Sequence, residues 1–175
     1  MTILAFVGVG SNLAGPARQL NRAIAAIADF PTTRVLAVSS YYRSAPIGVA
    51  TGQPDFINAV AAIETSLTVD ALFASLRAVE RTARRRRTAA NTPRSLDLDL
   101  LLYGALRRAG RKLVVPHPRL HLRAFVLRPL LEISPQIAIP GRGRALKFVP
   151  HTRAQNIARL SISSMAVRDA YTDGS

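Results

Sequence analysis

The chain has 175 residues and a net charge of +14, and it contains no cysteine. Its length fits a single domain that can bury a core without cross-links, and the absence of cysteine excludes disulfides, thiolate metal sites and a cysteine nucleophile. No apolar run approaches the roughly 18 residues that a membrane-spanning helix needs. The apolar residues 3–9 follow no basic residue and make a poor signal peptide. We therefore expect a cytoplasmic protein without membrane contact.

Hydrophobic periodicity and turn-forming residues divide the chain into alternating strands and helices. In chain order, the predicted elements are a strand at 2–9, a turn at 10–12, a helix at 16–28, a strand at 33–40, a loop at 41–54, a strand at 55–64, a helix at 68–84, a basic loop at 84–93, a strand at 95–103, an extended segment at 114–118, a helix at 120–133 and a short element at 145–149.

This order, β-α-β-β-α-β followed by a helix, matches the ferredoxin-like arrangement, which is an α+β fold. We expect helices on one face of a mostly antiparallel sheet, with parallel pairs beside a hairpin of the second and third strands. A single domain is expected over residues 1–160, and residues 161–175 are expected to form a polar, disordered tail.

Basic residues concentrate in the middle of the chain. Residues 1–80 carry five basic and five acidic side chains, whereas residues 81–131 carry thirteen basic and two acidic ones, a balance of +11. Such a region indicates an anionic partner such as nucleic acid, a membrane surface or polyphosphate, and a solubilising surface is the alternative. The two acids inside this block are Asp97 and Asp99.

These two aspartates alternate with leucines in the predicted strand at 95–103. Side chains alternate between the faces of a strand, so Asp97 and Asp99 point the same way, about 6–7 Å apart along it. Two carboxylates on one face repel unless a cation lies between them or water screens them. Mg²⁺ takes oxygen ligands and keeps waters and phosphates in its shell, so a magnesium site is one interpretation and a solvated acidic face is the other.

Neighbouring residues favour the magnesium interpretation. Residues 84–87 are four arginines in a row, and Arg94 lies three residues before Asp97. Arginine binds phosphate with two parallel hydrogen bonds, and phosphoryl transfer needs positioned cations. By itself the arginine run is equally typical of a nucleic-acid-binding surface. His117, between two prolines, could donate to a phosphate or be a structural histidine, and the Gly-x-Gly at 8–10 is read as a tight turn.

Several motifs occur in order along residues 3–153. They are Gly-Ser-Asn-Leu at 10–13, Tyr-Arg-Ser at 42–44 with Pro46, Gln-Pro-Asp-Phe-Ile-Asn at 53–58, Glu80, Pro-Arg-Ser-Leu-Asp-Leu-Asp at 93–99, Val-Pro-His-Pro at 115–118, Arg123 with Phe125, and His-Thr-Arg at 151–153. Together they resemble the 6-hydroxymethyl-7,8-dihydropterin pyrophosphokinase family of folate biosynthesis. The loop at 88–92 departs from the family pattern because it lacks an Arg-Trp pair.

The resemblance implies a monomer that binds ATP and the pterin but no nucleic acid, and that transfers pyrophosphate to the pterin's hydroxymethyl group with release of AMP. It implies two Mg²⁺ ions on Asp97 and Asp99, which would be catalytic together with Arg85 and Arg94. The residues that it places on the ATP side are Glu80, Arg85, Arg87, Arg94, His117 and Arg123. Those that it places around the pterin are Ser44, Pro46, Ile47, Phe56, Asn58 and Phe125.

Two other hypotheses compete with this one. One is a small basic RNA-binding domain, which can have the same type of sheet. Against it, Asp97 and Asp99 would repel a nucleic-acid backbone in the absence of metal. A nucleotide-binding relative without catalytic activity is the other. Without the resemblance, Phe56 and Phe125 would be read as core residues, and Asn58 as the partner of a backbone turn. No general base is evident, although Asp97 could accept the proton.

Overall fold

A computed structural model of the chain describes residues 1–12, 15–46, 54–85 and 96–161, with residues 84 and 85 described by their backbone alone. The strands are β1 (Ile3–Ser11), β2 (Thr33–Val38), β3 (Tyr42–Ser44), β4 (Phe56–Thr65), β5 (Leu96–Tyr103), β6 (Arg108–Ala109), β7 (Val114–Val115), β8 (Ala138–Ile139), β9 (Gly143–Arg144) and β10 (Ile157–Arg159). The α-helices are α1 (Pro16–Ala28), α2 (Val69–Arg85) and α3 (Ala124–Ile133), and 3-10 helices span Leu120–Leu122 and Ala145–Thr152.

Six of the strands form one antiparallel sheet. β4 pairs with β1, and β1 pairs with β5. On its other side β4 pairs first with β3 and then with β2, so these two strands occupy one position in the sheet, and β10 follows beyond β3. This is the predicted ferredoxin-like order. The predicted parallel pairs are wrong, because every strand pair in this sheet is antiparallel. Each helical crossover takes the chain to a strand that is not next to the one it left.

Helices cover both faces of the sheet. Val7, Val9 and Leu98 pack on one face with Leu20 of α1 and Leu72 of α2. On the opposite face, the side chains from the sheet and α3 are Phe6, Val60, Leu101, Leu127 and Leu130. The two helices of the ferredoxin-like arrangement, α1 and α2, therefore lie on one face as predicted, and the extra helix α3 covers the other face. Leu100 belongs to the first face and Leu101 to the second. Because side chains alternate along a strand, Asp97 and Asp99 lie on the same face as Leu101, which α3 covers.

Both early helices begin as their sequence predicts. Pro16 is the first residue of α1, where its missing N–H costs no helical hydrogen bond. Thr68 precedes α2, and its hydroxyl accepts the backbone N–H of Ala71 at 3.2 Å. No helix in the described ranges is long and apolar enough to cross a membrane.

Three local predictions are wrong. The predicted turn at 10–12 begins inside β1, because Gly10 and Ser11 pair with strands on both sides. The predicted loop at 41–54 contains β3, whose three residues form a strand by pairing with β4 and β10. The predicted helix at 120–133 is interrupted at Arg123, which is extended with φ −120° and ψ 114°. Strand β10 was not predicted, since it too depends on a distant partner.

Candidate active site

The aspartates of β5 lie opposite two glycines of β1. Asp97 pairs with Gly10 and Asp99 with Gly8. Opposite residues in antiparallel strands point to the same face, and glycine has no side chain to fill the space between neighbours. On the other side of Gly10 lies Asn58 of β4. Asn58, Gly10 and Asp97 therefore form one row across three strands, which we call the site row.

A cavity of about 420 Å³ opens above this row. Its wall consists of Gly8, Val9, Gly10, Ser44, Ala45, Phe56, Asn58, Ala59, Val60, Asp97, Asp99, Leu101, Arg119, Leu122, Arg123, Phe125, Val126 and Gln155. We call the part of the wall formed by the two carboxylates and the arginines its polar end, and the part formed by the two phenylalanines and Asn58 its apolar end. A cavity with an apolar part and a few convergent polar groups is typical of a small-molecule site.

The side chains of His117 and Arg123 approach Asp99 from outside the sheet. His117 Nε2 and Arg123 Nη1 each lie 3.9 Å from Asp99 Oδ2. These distances exceed hydrogen-bond range, so the contacts are electrostatic and leave the lone pairs of Asp99 open to a further ligand. The side chains of Arg123 and Asp99 are about one quarter and one third exposed. This end of the cavity therefore combines negative ligands with positive side chains.

His117 is held by its backbone and by its own ring. Its N–H donates to Leu101 O at 2.9 Å, and its Nδ1 accepts the N–H of Arg119 at 3.2 Å. A neutral ring that accepts at Nδ1 carries its proton on Nε2, which faces Asp99. Burial lowers the pKa of His117; Asp99 opposes that shift, and Arg123 and Arg119 add to it. The imidazole is therefore neutral at pH 7 and directs an N–H donor toward the site.

The apolar end carries two phenylalanines and a buried amide. Phe56 and Phe125 both line the cavity, and the guanidinium of Arg123 lies 5.5 Å from the centre of the Phe125 ring. Asn58 is buried, and its Nδ2 donates to Ser44 Oγ at 2.9 Å. Because β3 holds Ser44 beside Phe56, the predicted pterin residues of β3 and β4 come together. Two aromatic faces and an oriented amide suit a flat heterocycle.

Glu80 is a residue of α2 that lies outside the cavity wall, and its side chain reaches β5. It is 4% exposed, and its Oε1 accepts the N–H of Leu98 at 2.8 Å. Its Oε2 accepts from Arg77 at 2.6 Å. Burial raises the pKa of Glu80, and the hydrogen bonds from Leu98 and the charge of Arg77 oppose the shift. Both oxygens therefore have protein partners, and Glu80 holds the residue between Asp97 and Asp99 in place.

Several predicted site residues cannot be placed. Ile47, Arg87 and Arg94 lie outside the described residues, as do the altered loop at 88–92 and nearly all of the predicted tail. Arg85 is the last residue of α2, and only its backbone belongs to the described part of the structure. Pro46 is described and half-buried, but Ala45 lines the cavity in its place.

Of the eleven residues of the cavity wall that the sequence did not predict as site residues, four are glycines or carry polar side chains. They are Gly8, Gly10, Arg119 and Gln155. The glycines carried a usable signal, because two glycines with strand spacing leave one face of a strand open. Arg119 lies two residues after His117 in the basic block. Gln155 carried no local signal, since its partners are about 30 residues away.

The donor set at the polar end fits a magnesium ion. The described part of the chain contains no group of three or more His, Asp or Glu side chains that could enclose a metal. A cation on Asp97 and Asp99 would therefore take its other ligands from water and substrate, which is how Mg²⁺ is bound in phosphate-transferring enzymes. The α+β fold and this cavity are therefore typical of an enzyme of the phosphoryl-transfer type with a site for a flat heterocycle.

Comparison with known proteins identifies the family. The family model for 7,8-dihydro-6-hydroxymethylpterin-pyrophosphokinase (HPPK) matches residues 6–135. A 2-amino-4-hydroxy-6-hydroxymethyldihydropteridine pyrophosphokinase of Haemophilus influenzae is 41% identical over 138 residues, covering 79% of this chain and 86% of the relative. The protein of that name from Pseudomonas aeruginosa is 43% identical over 135 residues, covering 77% and 83%. The chain belongs to the HPPK family, which confirms the resemblance found in the sequence.

Solved structures agree with this fold. The HPPK-DHPS of Plasmodium falciparum, crystallised with pterin and p-hydroxybenzoate, superposes with a TM-score of 0.66 at 10% identity. The match covers 86% of this chain and 43% of that one, so this chain spans less than half of that protein. At such low identity the likeness supports the fold alone, and it confirms the predicted α+β class.

Proposed function

We propose that this chain transfers a pyrophosphoryl group from ATP to the hydroxymethyl group of 6-hydroxymethyl-7,8-dihydropterin. The hydroxymethyl oxygen forms a bond to the β-phosphorus, the bond from that phosphorus to the oxygen of the α-phosphate breaks, AMP leaves, and the hydroxyl proton is released. Family membership supports the reaction. The site row supports the assignment of this reaction to the cavity, because Asn58 and Asp97 lie on either side of the same glycine.

The polar end of the cavity would receive the triphosphate. Arg123 supplies a guanidinium that forms paired hydrogen bonds to phosphate oxygens, and His117 supplies a neutral N–H donor. Both lie 3.9 Å from Asp99, so they can move to a phosphate without breaking a strong hydrogen bond. Positioned cations of this kind stabilise the charge that phosphoryl transfer spreads over the equatorial oxygens.

Asp97 and Asp99 would hold Mg²⁺, and we propose two ions, as the family resemblance implies. Held by these two carboxylates, the metal would supply positive charge that stabilises the phosphates during transfer. Other residues of the chain hold the two carboxylates in position and leave space above them. Glu80 anchors the N–H of Leu98, and the flanking glycines keep the space above both carboxylates open.

The apolar end would receive the pterin. We propose that Phe56 and Phe125 stack on the two faces of the bicyclic ring and that Asn58 bonds its edge. Ser44 accepts one N–H of Asn58, which orients the amide toward the cavity. Pro46 and Ile47 are proposed to complete this end. The hydroxymethyl group would then point along the site row toward the carboxylates.

The remaining assignments are proposals of the same kind. Arg85, Arg87 and Arg94 are proposed to contact the phosphates, because they flank β5 in the sequence. Glu80 is proposed to act on ATP through β5, since both of its oxygens have protein partners. A monomer of one domain that binds no nucleic acid, and its place in the cytoplasm, remain predictions.

The deciding experiment is a coupled turnover assay. Purified protein is mixed with Mg²⁺, ATP and the reduced hydroxymethyl pterin, and AMP is measured with and without pterin. We expect AMP that depends on both pterin and Mg²⁺. Release of ADP, or the absence of AMP, would contradict the proposal. Salt-sensitive binding of RNA without AMP formation would favour the RNA-binding hypothesis.

A further inference from the structure

Gln155 connects the C-terminal part of the chain to the start of α3. It lies between the 3-10 helix Ala145–Thr152 and β10. Its Oε1 accepts the N–H of Ala124 at 2.8 Å, and its Nε2 donates to Leu122 O at 2.7 Å. Its own N–H donates to Thr152 O at 3.0 Å. The side chain is therefore fixed at both ends of its amide and at its backbone.

The two side-chain bonds lie on either side of Arg123. This residue is extended between a 3-10 helix and α3, and it provides no side-chain cap for α3. The first N–H groups of a helix have no partner within the helix, so Ala124 needs an acceptor from elsewhere. A glutamine can supply an acceptor and a donor at once, which this break in the helix requires.

The backbone held in this way carries both halves of the cavity. The guanidinium of Arg123 lies 3.9 Å from Asp99 at the phosphate end. Phe125, two residues further on, lines the pterin end, 5.5 Å from that guanidinium. Gln155 itself forms part of the cavity wall. A small rotation at residues 122–124 would therefore move a phosphate ligand and a stacking ring together.

We propose that Gln155 is a positioning residue for Arg123 and Phe125. By bridging Leu122 and Ala124, it sets the break between the 3-10 helix and α3, and so it aligns the nucleotide and pterin ends of the cavity. This inference rests on the proposed function for its meaning in catalysis. The coupling between Gln155 and Arg123 does not depend on catalysis, so measurements of ligand binding alone can test it.

The test uses the full chain with Gln155→Leu, which removes both hydrogen bonds at similar size. The matched control is Gln136→Leu, because the exposed Gln136 accepts a hydrogen bond from the side chain of Arg144, and neither residue lines the cavity. We expect Gln155→Leu to lower kcat/KM roughly tenfold with KM for both substrates raised, since small misplacements of substrate ligands are costly. The control should stay within about twofold of the wild type.

A second variant separates positioning from folding. Gln155→Glu retains an acceptor for Ala124 but cannot donate to Leu122, so its loss should lie between those of the wild type and Gln155→Leu. If Gln155→Leu does not fold, Gln155→Glu carries the test by the same kinetic measurement. Wild-type kinetics for both variants, or equal losses in the control, would overturn the proposal.

The last measurement is a double-mutant cycle with Arg123→Ala. Affinity for a non-hydrolysable ATP analogue with Mg²⁺ is measured by calorimetry, which needs no turnover. If Gln155 acts through Arg123, adding Gln155→Leu to Arg123→Ala should weaken analogue binding no further. Additive losses would overturn the inference. A wild type that binds the analogue but forms no AMP would contradict the proposed function and leave the cycle readable.

Discussion

The two faces of β5 have opposite character over the same five residues. Leu96, Leu98 and Leu100 are at most 4% exposed and pack against α1 and α2. Asp97 and Asp99 are half-buried on the α3 face and line the cavity. One alternating pattern therefore supplies a buried apolar face and a polar site. A strand whose other face is fully packed can hold two repelling carboxylates at a set spacing.

This contrast predicts that the two faces respond differently to substitution. Changes to the leucine face should reduce stability with little effect on the folded enzyme. Changes to the aspartate face should reduce activity with less effect on stability, because both carboxylates are half-buried at the cavity and are not packed in the core. Four substitutions test that separation.

Asp97→Asn should give the largest loss. It preserves size but removes the charge that a magnesium ion needs, so AMP formation should fall at least roughly 100-fold, as is usual when one preorganised electrostatic group is lost. The melting temperature should change by much less than for a substitution in the core. Asp70→Asn, at an exposed ion pair with Arg108, is the matched control and should stay within about twofold in rate. Full activity in Asp97→Asn would refute the metal assignment.

Leu98→Ala should act on stability. Leu98 is fully buried between the two aspartates, so truncation leaves a cavity and should cost about 3 kcal/mol in the free energy of unfolding. Urea denaturation measures that cost, and kcat should change less than about threefold below the transition. Leu36→Ala on β2 is the control, because Leu36 is 46% exposed. A collapse of kcat with unchanged stability would show that the faces are not separable.

Gly10→Ala should affect both properties moderately. A Cβ on Gly10 would lie 2.9 Å from Asn58 Oδ1, whereas a Cβ on Gly8 would meet the side chain of Leu101 at 3.5 Å. We expect Gly10→Ala to displace Asn58, to weaken pterin binding about tenfold and to cost about 1–2 kcal/mol of stability. Fluorescence titration with pterin and thermal unfolding measure these. Gly8→Ala should cost less stability, and the reverse order would contradict this view of the site row.

His117→Gln should have the smallest effect, visible in the pH dependence of stability. Burial lowers the pKa of His117 below 6.5, so between that lowered value and 6.5 the unfolded chain binds more protons than the folded one. Stability therefore rises with pH through this window and is lost on acidification. The variant should lose less stability than the wild type between pH 7 and pH 5 in thermal unfolding. Since His121 is present in both, an identical decline would refute a buried neutral His117.

Local patterns predicted much of this molecule. The bounds of α1 follow from Pro16 and the spacing of its apolar residues, and α2 follows from the Thr68 cap. The strict alternation of β5 correctly placed Asp97 and Asp99 on one face. These features could be predicted because helix caps, periodicity and strand alternation depend on residues that are close together in the chain.

Other features required partners that are distant in the sequence. β3 is a strand because β4 and β10 pair with it, and Gly10 lies within β1 because β4 and β5 flank it. Asn58 and Asp97 face one another across Gly10 by sheet register alone. The break at Arg123 is satisfied by Gln155, whose amide lies about 30 residues away in the chain.

The order of the motifs along the chain was enough to predict the α+β class, the family and the kinds of side chain in the site. The tertiary structure decided which groups share a cavity, that α3 covers the face opposite α1 and α2, and that Glu80 serves β5 from outside the cavity. The physical reason is that register, crossover and long-range hydrogen bonds are set by pairing between segments, and neither local composition nor spacing encodes the partner.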